Sequence, residues 1–125
     1  MSVVETYRRV EERCMAVLAP WVFLVVPGVA LHELVHAAAG RRYGVVSIDW
    51  TRPHVDVDWP DAVPVWGVVG FYLGPMAVGG LCAFALPVVF PLVPVWVDAW
   101  LVVNWVLLAG PSVLDGRGLV YALAG

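Results

Sequence analysis

Five consecutive residues, His32-Glu33-Leu34-Val35-His36, carry the strongest chemical signal in the sequence. On a helix, positions i and i+4 lie on one face, so the two imidazoles can share one metal ion while the glutamate between them reaches its water. Two imidazoles and a carboxylate suit zinc and leave a fourth position for water, whose pKa falls toward about 7. The chemistry predicted is zinc-assisted hydrolysis with one Zn2+ per chain, His32 and His36 as ligands and Glu33 as the catalytic base. The bland alternative is that all three merely pack against neighbouring helices. It is disfavoured because they interrupt an apolar run, where an ionisable group costs several kcal/mol and normally marks function.

The elements that must position these residues belong to a lipid-facing chain. Of 125 residues, 62% are hydrophobic and 14% charged, against roughly 25% charged in a soluble domain. A soluble chain this short could not hide so much apolar surface, so the lipid bilayer is the expected solvent. Net charge is −3 and every basic residue is arginine, which leaves no cationic patch for nucleic acid. Cys14 and Cys82 lack CxxC spacing and read as packing residues. The mixed Arg and Glu of the N-terminus do not form a removable signal.

Residues 2–14 interleave Arg8, Arg9, Arg13, Glu5, Glu11 and Glu12 with Val3, Val4, Tyr7 and Val10, which predicts a short amphipathic helix at the membrane interface. A first span follows over about 16–39, whose only ionisable groups are His32, Glu33 and His36. Alternation over Val45 to Asp49 and Val55 to Trp59, around Thr51-Arg52-Pro53, predicts a β-hairpin. The uncharged stretch from Ala62 to Val97 is too long for one crossing, which gives a second span over about 66–90 and a third over about 95–114. Gly67, Gly70, Gly74, Gly79 and Gly80 would let neighbouring helices approach the second span closely. The expectation is one all-α, membrane-embedded domain over 1–125, with three transmembrane helices, an amphipathic N-terminal helix and a small hairpin.

Candidates for the third ligand are Asp115, His54, Asp49, Asp56, Asp58 and Asp98. With three spans, the first and third run parallel, so His36 and Asp115 reach the same side at similar depth. Asp98 opens the third span on the opposite side. This threading favours Asp115, and the hairpin acids with His54 remain the alternative. Asn104 would share a helix face with Asp115 but lie about 16 Å from it along the axis, which suits interhelical hydrogen bonding or, more sharply, contact with a substrate backbone.

Through these residues the sequence resembles the site-2 protease family of intramembrane zinc metalloproteases. The run from His32 through Ala37-Ala38-Ala39-Gly40-Arg41-Arg42-Tyr43-Gly44-Val45 is similar to that family's HExxH helix and the hairpin after it. Gly74-Pro75-Met76-Ala77 resembles its GPxA segment, and Pro111-Ser112-Val113-Leu114-Asp115-Gly116 its PxxxDG-like end. The resemblance implies a three-span catalytic core with Asp115 as third ligand, and transmembrane proteins as substrates. Val78, Leu107 and Arg117 stand where the family has Asn, Asn and Gly, departures that bear on substrate positioning more than on metal binding. No PDZ-like regulatory domain fits in this length.

Hydrolysis would proceed with Glu33 taking a proton from the attacking water and returning it to the leaving amine. Arg41, Arg42, Arg52 and Arg117 on one side, against Arg8, Arg9 and Arg13 on the other, favour a multi-pass cell-membrane protein whose active site lies near the cytoplasmic face. The rival from another class is a catalytically silent zinc-binding scaffold. A di-iron site is disfavoured because no second ExxH occurs.

Overall fold

A computed structural model describes residues 2–51, 53–110 and 113–124. Arg52, read above as part of the hairpin turn, and Pro111 and Ser112, read as the start of the motif ending at Asp115, lie outside the described residues.

Helix α1 (Val3–Val25) opens on a capping box: Glu5 N–H donates to Ser2 Oγ at 3.2 Å, and Ser2 N–H to Glu5 Oε2 at 2.8 Å. The charged segment expected over 2–14 is helical, but the helix continues to Val25. There the expected straight span over 16–39 is corrected. Pro27 has no N–H to donate and drives the residue before it out of the helical region, so Val26 sits at φ −126°, ψ 67°. Helix α2 (Pro27–Gly40), which carries the HExxH run, leaves at 97° to α1.

Strands β1 (Val45–Asp49) and β2 (His54–Asp58) form the expected hairpin, with β2 beginning one residue earlier than the alternation suggested. They pair antiparallel from Val45 opposite Asp58 to Asp49 opposite His54. The Asp49 carboxylate accepts from Thr51 N–H at 2.9 Å and from its hydroxyl at 2.7 Å, which sets the turn. Val55 is buried with Ala37 and Phe71, so the inner face of the hairpin is pinned to α2 and to the helix that follows.

Helix α3 (Val65–Ala83) runs on through α4 (Leu86–Val89) and a 3-10 turn (Phe90–Leu92). Helix α5 (Val95–Ala109) is shorter than the third span expected over 95–114. Gly110 turns extended, at ψ 132°, as the residue before a proline does. The chain then resumes as α6 (Val113–Ala124), a helix the sequence reading did not expect. Helices α2, α3 and α5 pack mutually and α6 packs on α3. Of the five glycines expected at close contacts, Gly67 meets Tyr43, Gly74 meets Val35 and Gly79 meets Ala109, whereas Gly70 and Gly80 face open space.

Among the described residues, Val65–Leu92 is long and apolar enough to cross a membrane, with mean hydropathy 1.9, yet only 11% of its most apolar window is buried. The bent pair α1 and α2 passes the same measure only when taken together, and α5 is apolar but shorter. The outer surface is correspondingly greasy: Trp21, Leu24, Leu81, Phe84, Leu92 and Trp96 are each more than half exposed.

Candidate metal centre

Residues far apart in sequence converge where α2, α3 and α6 meet. His32 and His36 are almost fully buried, and the Asp115 side chain, from the first turn of α6, is largely so. His32 Nε2 lies 3.1 Å from His36 Nε2 and 3.2 Å from Asp115 Oδ2, and His36 Nε2 lies 3.1 Å from Asp115 Oδ1. A tetrahedral zinc with bonds of about 2.0–2.1 Å needs ligand atoms about 3.3 Å apart, so the three already have the required spacing.

The far nitrogens decide what the near ones can do. His32 Nδ1 is 2.8 Å from the Leu108 carbonyl oxygen and His36 Nδ1 is 2.7 Å from that of Phe71. A carbonyl only accepts, so each Nδ1 carries the hydrogen and donates. A neutral ring of this tautomer turns a bare Nε2 lone pair toward the other ring and toward a carboxylate. Lone pairs this close repel unless a proton or a metal ion sits among them, and outer partners that fix the ring tautomer in this way are a regular feature of metal-bound histidine.

Both carbonyls are free for local reasons. Leu108 lies in the last turn of α5, where carbonyls have no intrahelical donor. Phe71, in mid-helix, would ordinarily receive the N–H of residue 75. That residue is Pro75, which has none and is completely buried. Pro75 thus leaves the Phe71 carbonyl to His36. Pro75→Ala restores a competing N–H, and zinc affinity measured by chelator competition should fall about 10- to 100-fold, as when an outer-shell partner is lost. Unchanged affinity would show that this carbonyl does not orient the ring.

Glu33 is half-buried, lies within electrostatic reach of His32, His36 and Asp115, and lines a cavity of about 290 Å³ together with His36 and Asp115. Four consecutive residues of β2, His54 to Val57, line the same cavity. Alternate strand residues point to opposite faces, so a consecutive run presents an edge, and among the described residues β2 pairs with β1 alone.

Known proteins give no match. Compared with family models, with curated proteins and with solved structures, the chain shows no significant similarity to any.

The remaining ligand candidates do not join the cluster. His54 pairs with Asp56 at 3.1 Å on the exposed cavity rim, Asp49 is engaged in the turn, and Asp58 is exposed on β2. Asp98 sits in the first turn of α5, about 15 Å along the axis from Leu108. Asn104 is also placed elsewhere. Its Oδ1 accepts the Gly28 N–H at 2.8 Å and its Nδ2 donates to the Trp100 carbonyl at 2.9 Å. Because Val26 offers no capping side chain, α5 supplies the cap for the start of α2, and a Cβ at Gly28 would collide with the Asn104 backbone. Asn104 thus makes the interhelical hydrogen bond, the first of its two expected roles, with one Nδ2 hydrogen and one Oδ1 lone pair left over.

Sequence reasoning missed the two carbonyls, which have no residue-type signature, and Tyr72, which also lines the cavity. A signal for Tyr72 existed: it is the only hydroxyl between Asp61 and Asp98.

Proposed function

We propose that the chain is a zinc-dependent intramembrane endopeptidase of the site-2 protease type, cleaving peptide bonds within or beside transmembrane segments of other membrane proteins. The observation that carries this reading is the convergence of His32, His36 and Asp115 at zinc-ligand spacing, with Glu33 on the same cavity. A membrane setting is supported by the unburied apolar helix Val65–Leu92, since a soluble core helix would be mostly covered. For a multi-pass insertion, the positive-inside rule puts Arg41 and Arg42 on the cytoplasmic side.

Zinc held by His32, His36 and Asp115 would supply a Lewis acid for the scissile carbonyl and for water. The chain's own residues do the rest. The Glu33 carboxylate accepts a proton from the attacking water and delivers it to the amide nitrogen as the C–N bond breaks. Leu108 and Phe71 keep the two imidazoles in the tautomer that leaves Nε2 bare. A helical substrate must unwind to expose its peptide group, and the β2 edge along the cavity offers backbone hydrogen bonds to the opened strand.

The test uses the purified protein in liposomes with a labelled Leu/Ala transmembrane peptide carrying a central Gly-Ser break. Cleavage should stop on zinc chelation and return with added zinc. A protein that retains one zinc per chain and cuts no transmembrane peptide would instead be a zinc-binding scaffold.

A further inference from the structure

Three carboxylates, of Glu33, Asp56 and Asp115, face the cavity. A carbonyl attacked beside them gathers negative charge on its oxygen, and that charge needs hydrogen-bond donors already in place. Among the described residues, and apart from His36, whose Nδ1–H goes to the Phe71 carbonyl, the cavity wall offers three donor side chains: His54, Trp59 and Tyr72. His54 already spends Nε2 on Asp56 at the half-exposed rim. Trp59 comes from beyond β2 and meets Phe71 edge-on at 5.3 Å.

Tyr72 is held differently. It follows Phe71, whose carbonyl orients His36, and its ring meets the Phe71 ring at 4.9 Å, nearly perpendicular. Its other side lies in a notch at Gly118, where an added Cβ would come within 2.6 Å of the hydroxyl oxygen. Gly118 is three residues after Asp115 on α6, so the hydroxyl lies about one helical turn from the third ligand position. Among the described residues the hydroxyl makes no hydrogen bond, so its donor is unspent.

We propose that Tyr72 is a catalytic residue whose hydroxyl donates a hydrogen bond to the scissile carbonyl oxygen as negative charge develops there. The assignment rests on the peptidase reading above. It also gives a role to Gly118, because any side chain there would displace the ring.

The test compares zinc-loaded wild type with Tyr72→Phe, which keeps the ring and removes only the donor. N-phosphoryl-leucinamide, a tetrahedral oxyanion on one apolar residue, should bind the variant about tenfold more weakly, the loss expected for one hydrogen bond. With the Leu/Ala transmembrane peptide, kcat should fall about 100-fold at unchanged KM, as on removal of an oxyanion donor. Zinc content should be equal in both proteins. Equal analogue affinity and equal kcat overturn the assignment, and loss of zinc from Tyr72→Phe overturns it in favour of a structural role. If the wild type binds zinc but cleaves nothing, the peptidase reading fails and takes the assignment with it; cleavage intact in the variant removes the assignment alone.

Discussion

Glu33→Gln should lower cleavage of a transmembrane peptide by about 100- to 10,000-fold, the range over which a positioned acid–base group acts, while zinc content stays at one per chain. Gln is close to isosteric and keeps the side chain on the cavity wall, but its amide cannot take a proton from water. The metal trio does not include Glu33, so nothing that orients His32 or His36 is touched. Turnover and metal content, measured on the same preparation, separate a peptidase from a zinc-holding scaffold. Full activity in Glu33→Gln would remove the proton carrier from the mechanism and leave the peptidase reading without its base.

Asp115→Asn should have the second large effect, and on a different quantity. Asn keeps the shape and loses the charge, so the position among the two bare imidazole nitrogens becomes neutral. Zinc affinity should drop by more than the roughly 10- to 100-fold typical of an outer-shell loss, and cleavage should fall with it. The Asp115 carboxylate spans both histidines, 3.2 Å from one Nε2 and 3.1 Å from the other. Chelator competition gives the affinity directly. Wild-type affinity in Asp115→Asn would mean that the carboxylate is a bystander.

How much of this was legible in the sequence depends on the physical origin of each feature. The hairpin was legible because period-two alternation and a turn-forming segment are local. The pairing of His32 with His36 was legible because helical spacing alone sets it. Asp115 was reached by threading, although the threading assumed straight helices and the chain breaks at Val26 and again at Gly110. Both breaks stand directly before prolines, a signal that the surrounding apolar runs outweighed. The convergence survives the error because α6 restarts the chain and returns Asp115 to α3 beside the histidines. The role of Asn104 was not legible: whether its amide meets a substrate or caps another helix depends on a tertiary contact 76 residues away. The partnership of Pro75 with His36 was equally hidden, since the proline acts through a hydrogen bond it fails to make.

The central claim is that His32, His36 and Asp115 together hold one zinc ion, and X-ray absorption at the zinc edge tests it most directly. The account predicts, for the wild-type protein, a shell of light atoms only: two imidazole nitrogens at about 2.0–2.1 Å, and oxygens at about 2.0–2.2 Å that include a carboxylate whose contribution disappears in Asp115→Asn. A sulfur at about 2.3 Å, which would bring in Cys14 or Cys82, or a spectrum unchanged by Asp115→Asn, would contradict it.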